Sequence, residues 1–141
     1  PAEAQRELFR SYESRLDLGR GACPFKDPSN ALIVESSLRH YDQQRYLLGA
    51  WCVMPNNVHA IVAPLEGRPL ATVVQAWKSF TARKLNQALG LAGRFWQEEY
   101  FDHLIRSAKE HERFERYIIA NPAKAGLMGW HSVSTLGQTT I

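Results

Sequence analysis

Tyr117 and Asn121 stand four residues apart in the run Arg116-Tyr-Ile-Ile-Ala-Asn-Pro122. In a helix that spacing puts a phenolic hydroxyl and an amide carbonyl on one face, near the helix end. A tyrosine oxygen can attack phosphorus once the cost of ionising it, at a free pKa of roughly 10, is lowered. A metal ion on the scissile phosphate would help by neutralising developing charge and by orienting the phosphate for in-line attack. A packed tyrosine beside an asparagine C-cap is the plainer account of the same two residues. Phe114 and Ile118, also four apart, are expected to face the core.

A second constellation is Met54-Pro-Asn-Asn57-Val58-His59. Alternate residues of a strand share a face, so Asn57 and His59 would reach one small target together. An imidazole beside an amide oxygen suits a divalent cation. The plainer account is a hydrogen-bonded strand histidine and a turn asparagine after Pro55.

The elements that must position these residues follow from periodicity and punctuation. Leu8, Phe9, Tyr12 and Leu16 recur at helical spacing over Ala2 to Leu18, with Gly19 and Gly21 as stops, so a helix is expected there. Asp27-Pro28 is a helix start, with helix over 28 to about 41 and Ala31, Leu32, Leu38 and Tyr41 among its buried positions. Arg45 to Val53 and Val58 to Ala63 flank the Pro55-Asn56 turn and predict two adjacent antiparallel strands. Leu70, Val73, Val74, Trp77, Phe80, Leu85 and Leu89 form a helical stripe over 69 to 89, ended by Gly90. Tyr100 to Arg106 reads as a short strand. Ser107 and Glu110 form a capping box that starts the last helix at about Ala108, and Pro122 should stop it near Asn121. This order predicts an α+β sandwich with helices against a mostly antiparallel sheet.

The chain has 141 residues, 45% hydrophobic and 22% charged, which fits one folded domain over 1–141 and disfavours disorder, collagen-like and coiled-coil classes. No apolar run is long enough to span a membrane, and Pro1 to Arg10 is too charged for a signal peptide. Cys23 and Cys52 lack CxxC spacing and read as reduced thiols, so a cytoplasmic location is expected. A net charge of +3 and a pI near 9.1 permit a nucleic-acid partner without demanding one.

Four blocks in order carry a resemblance over about Leu8 to Leu127. They are Leu48-Gly-Ala-Trp51-Cys-Val-Met54-Pro55-Asn56; Trp77-Lys78-Ser79-Phe80-Thr81-Ala82; Phe95-Trp96-Gln97-Glu98-Glu99-Tyr100-Phe101-Asp102-His103-Leu104-Ile105-Arg106; and Tyr117-Ile-Ile-Ala-Asn121-Pro122-Ala-Lys124-Ala-Gly126-Leu127. The chain resembles the HUH single-tyrosine transposases, most of all the REP-associated tyrosine transposases. The resemblance implies a ferredoxin-like sandwich and metal-dependent cleavage and joining of single-stranded DNA at hairpin-forming repeats, as a monomer or homodimer. In such enzymes two histidines of a strand motif and a polar residue of the tyrosine helix bind Mg²⁺ or Mn²⁺, and the tyrosine is left as a 5′-phosphotyrosine beside a free 3′-hydroxyl. By position the nucleophile is Tyr117, and the metal ligands are His59, Asn121 and Asn57.

Asn57 departs from the family pattern, which has Met-Pro-Asn-His-Val-His where this chain has Met54-Pro55-Asn56-Asn57-Val58-His59. Asparagine offers a neutral carbonyl oxygen in place of imidazole, so metal affinity should fall. The alternative to an active enzyme is therefore a single-stranded nucleic-acid binding module that keeps the fold with impaired catalysis. Family members also carry a strand ahead of the first helix, for which this chain offers no candidate. Lys78, Arg83, Lys84, Arg106 and Lys124 are the expected DNA contacts, bordering one cleft. Phe95 and Trp96 are either core residues or stacking platforms for bases. His103 is expected to be a hydrogen-bonded structural residue.

Overall fold

A computed structural model describes residues 8–19 and 21–135. The elements run β1 (Arg10–Arg15), α1 (Pro28–His40), β2 (Tyr46–Met54), β3 (Asn57–Pro64), α2 (Leu70–Leu89), β4 (Phe101–Leu104) and α3 (Ala108–Lys124), with a short 3-10 turn at Pro24–Lys26. The four strands form one sheet in the order β2-β3-β1-β4, and every neighbouring pair is antiparallel. This is the split βαβ arrangement of a ferredoxin-like sandwich, the α+β class expected.

The helix expected over 2–18 is overturned: residues 10–15 are strand, and residues 1–7 lie outside the described residues. Tyr12, Ser14 and Leu16 face one side of the sheet, and Ser11 and Glu13 the other. Small buried serines hide that alternation from a hydrophobicity reading. The strand expected to be missing ahead of the first helix is this one, β1.

The local signals elsewhere act as their chemistry requires. Asp27 caps α1 by accepting from Ser29 N at 3.0 Å, with Pro28 in the first turn. Gly90 takes the left-handed conformation that ends α2, at φ 67°. Ser107 Oγ accepts from Glu110 N at 3.0 Å, while Glu110 Oε1 accepts from Arg106 N at 2.9 Å, one residue ahead of the reciprocal partner expected of a capping box. The last helix does not stop at Asn121. Pro122 lies in its final turn, and the chain closes with Gly126 N donating to Ala123 O and Leu127 N to Pro122 O, at 3.0 and 2.9 Å. That is a Schellman end, with Gly126 at φ 80°.

The sheet is covered on both faces. Tyr12, Trp51, Val53, Val58, Ala60 and Val62 pack with α1 and α2, where Trp77 Nε1 donates to Tyr46 Oη at 3.1 Å and Tyr46 donates to Leu38 O. Ala50, Cys52, Met54 and Ile61 pack on the other face with Ile105 and with Ile118 of α3. Of the buried positions expected on α1, Ala31 and Leu38 are buried, whereas Leu32 is exposed. The outer edge of β2 is closed by residues 130–134. Val53 N donates to Ser132 O and Ser134 N to Trp51 O, both at 2.9 Å, Trp51 N donates to Ser134 Oγ at 2.8 Å, and Trp130 Nε1 donates to Val53 O at 2.7 Å.

Candidate functional site

The site lies on the face that α3 covers. The two-residue turn Pro55-Asn56 fixes the β2–β3 register, so Cys52 stands opposite His59 and Met54 opposite Asn57. From the other side β1 places Glu13 opposite His59 and Arg15 opposite Asn57. Directly opposed residues of an antiparallel pair share a face. Cys52, Asn57, His59, Glu13 and Arg15 therefore line the surface on which α3 lies.

His59 is 8% exposed, and its Nε2 is 3.0 Å from Ser11 Oγ. Burial lowers its pKa below the ordinary histidine value, against an opposing pull from the Glu13 carboxylate, so the ring is neutral at pH 7. The Tyr117 ring stands edge-on to this imidazole, with centroids 5.8 Å apart and planes at 73°. Tyr117 is itself 47% exposed, and Lys124 Nζ lies 5.8 Å from its ring centroid. One turn along α3, Asn121 points Nδ2 at Cys52 Sγ, 4.0 Å away. Burial pushes the Cys52 thiol up to about 12, so it stays protonated and is no anionic ligand at neutral pH.

The structure thus brings together three of the four residues singled out for chemistry: Tyr117, Asn121 and His59. Asn57 shares their face, one rung further along the sheet, but its Nδ2 contacts Asn56 Oδ1 at 3.3 Å. It lines a neighbouring polar cleft of about 310 Å³ with Arg15, Asn56 and Gln97. In donor type the set fits a divalent cation: a neutral imidazole fixed at one ring nitrogen, and an Asn121 amide whose nitrogen is turned toward sulfur. Among the described residues no three His, Cys, Asp or Glu side chains cluster to hold a metal.

The cations expected to border one cleft do not. Lys124 is at the site. Arg106 precedes α3, 11 residues before Tyr117 and roughly 16 Å away along the helix. Lys78, Arg83 and Lys84 belong to α2, in the layer on the opposite face of the sheet. Lys78 Nζ donates to Gln97 O at 2.7 Å, while Arg83 and Lys84 lie over Phe80. Phe95 and Trp96 are core residues, 1% and 5% exposed, so neither is a platform for bases. His103 pairs with Glu110 at 3.5 Å, a structural contact.

Sequence reasoning missed Ser11, Glu13 and Cys52. Cys52 was readable from the two-residue turn, which sets its pairing with His59. Ser11 and Glu13 were hidden by the helical reading of 2–18.

A family model described as "Transposase IS200 like" matches residues 31–121, which span β2, β3, α2, β4 and most of α1 and α3. The chain belongs to that family. Two solved structures share the fold of this IS200-like chain. One is a REP-associated tyrosine transposase bound to a REP hairpin, with TM-score 0.71 and 21% identity, covering 91% of this chain and 76% of that one. The other is a candidate transposase from Deinococcus radiodurans, with TM-score 0.56 and 20% identity, covering 80% of this chain and 89% of that one. No curated protein sequence matches. No helix among the described residues is long and apolar enough to cross a membrane.

Proposed function

We propose that this IS200-like transposase cleaves and rejoins single-stranded DNA at hairpin-forming repeats, with Tyr117 as nucleophile. The carrying observation is the edge-on contact of Tyr117 with His59, one helical turn from Asn121. The Tyr117 phenol gives up its O–H proton as its oxygen forms a bond to phosphorus, the P–O3′ bond breaks, and the leaving 3′-oxygen takes up a proton, so that overall one proton is released and one is taken up. The products are a 5′-phosphotyrosine and a free 3′-hydroxyl, and rejoining reverses these bonds.

His59 and Asn121, with Asn57 beside them, would hold Mg²⁺ or Mn²⁺, which when bound supplies charge neutralisation at the phosphate. The chain's own residues orient the reaction. His59 seats the tyrosine ring, Ser11 holds the imidazole, and Lys124 offers a positive charge to a phosphate beside Tyr117. DNA is the partner this reading requires, in single-stranded or hairpin form. Lys124, then Arg106, are the cations best placed to follow it past α3, while Lys78, Arg83 and Lys84 would serve a strand that wraps onto α2.

The test is incubation with hairpin-bearing single-stranded DNA and Mn²⁺, followed by denaturing electrophoresis. A covalent protein–DNA adduct is expected, and its absence under conditions where the DNA binds would overturn the nuclease reading. That negative would favour a binding module whose catalysis is impaired, the reading motivated by Asn57 in place of an imidazole.

A further inference from the structure

We infer that Glu13 is a ligand of the divalent cation at this site, the one anionic donor among otherwise neutral side chains. The inference rests on the proposed function and deepens it. His59, Asn57 and Asn121 carry no charge at pH 7, and a hard divalent cation sheds water reluctantly for neutral donors alone. The sheet supplies what they lack. Glu13 is the direct cross-strand neighbour of His59, and neighbours of this kind have Cβ atoms about 4.5–5.5 Å apart on one face. Glu13, His59 and Cys52 form one rung across the sheet, and Asn121 approaches that rung at Cys52.

The competing account is that Glu13 serves only to pair with Arg15, whose Nε is 3.0 Å from Glu13 Oε2. The burial of the two partners argues against it. The Glu13 side chain is 24% exposed and that of Arg15 55%, so the more buried charge leans on a more solvated partner. Such a pair contributes little, and a partly buried carboxylate gains from a further positive partner. Arg15 engages Oε2 through Nε, which leaves Oε1 for a second cation. A carboxylate oxygen also matches Mg²⁺ and Mn²⁺ in hardness.

The experiment is a Mn²⁺ titration of the full chain, free Mn²⁺ being read by electron paramagnetic resonance, with and without hairpin DNA. Glu13→Gln should weaken Mn²⁺ binding by about tenfold or more. Glu13→Asp, which keeps the charge, should restore part of it, and Arg15→Gln should tighten binding by freeing the carboxylate. Thermal melting of each variant reports whether it is folded, and Glu13→Asp carries the test if Glu13→Gln is not. Loss of Mn²⁺ binding in His59→Gln with none in Glu13→Gln would overturn the role of Glu13 and leave the proposed metal site standing. Mn²⁺ binding unaffected by both substitutions, or absent from the parent chain even with DNA, would overturn the metal site and this inference with it.

Discussion

The Tyr117 ring meets the His59 imidazole edge-on at 5.8 Å, so a half-exposed helix residue is seated against an almost wholly buried strand residue. Edge-to-face pairs of this kind contribute roughly 0.5–1.5 kcal/mol beyond area burial. That is enough to bias the tyrosine toward the sheet and too little to lock it there. In the proposed reaction, a contact of that strength leaves the tyrosine free to yield to a DNA strand.

Tyr117→Phe keeps the ring and removes only the hydroxyl. The variant should bind hairpin DNA as the parent does and melt within about 2 °C of it, since loss of an exposed hydroxyl costs little. The covalent adduct should vanish from denaturing gels. An adduct that survives would assign the nucleophile to another residue.

Asn57→His places a second imidazole two residues from His59 on the same strand face. Divalent-metal affinity should rise by about tenfold or more, and adduct formation with it. Calorimetric Mn²⁺ titration beside the adduct assay checks both. No change in either would remove Asn57 from the metal site.

Acid should destabilise the fold through its buried histidines. Burial lowers the pKa of His59, faced by Glu13, Cys52 and Tyr117, and of His111, near Phe9 and Glu115, below the ordinary value of 6.5. The unfolded chain therefore takes up protons first as pH falls. Stability is full above about pH 6.5 and drops as pH descends from there through the lowered folded values. Melting temperatures across pH 7.5 to 5.5 should show this slope, with His59→Gln removing part of it and His59→Gln/His111→Gln more. A slope untouched by both substitutions would place its origin elsewhere.

Tyr46→Phe should destabilise the α1–α2 side of the sheet. Its hydroxyl accepts from Trp77 Nε1 at 3.1 Å and donates to Leu38 O, so its loss strands a buried indole N–H and a buried carbonyl. The expected cost is on the order of 1–3 kcal/mol, read as a lower melting temperature or denaturant midpoint. An unchanged midpoint would mean that water replaces the hydroxyl.

Most of this architecture was legible where a local signal had one meaning. Asp27-Pro28, Ser107 with Glu110, and Gly90 mark helix ends, and Pro55-Asn56 joins two strands in a register that brings Cys52 to His59. The errors have physical causes. Along β1 and just past its end the inward face alternates Tyr12, Ser14 and Leu16, and a buried serine whose hydroxyl is satisfied, here by accepting from Tyr12 Oη at 2.6 Å, carries no hydrophobic mark. At Pro122 the helix continued because proline there removes only the one bond to the Ile118 carbonyl, while the Schellman closure beyond it satisfies the carbonyls of Pro122 and Ala123. The pairing of Tyr117 with His59 followed from spacing and resemblance together. The dispersal of the cations did not, because the face of the sheet on which a helix lands is set by tertiary packing.

The closure of β2 by residues 130–134 makes this short segment a guard against self-association. Backbone N–H and C=O groups of Trp51 and Val53 are all engaged there, as is the Trp130 indole. Peeled away, the segment would uncover one side of a long apolar strand, Tyr46–Met54, as a template on which another chain could add. Proteolytic loss of these few residues would then show itself first as growth of fibrils or soluble oligomers rather than as loss of fold.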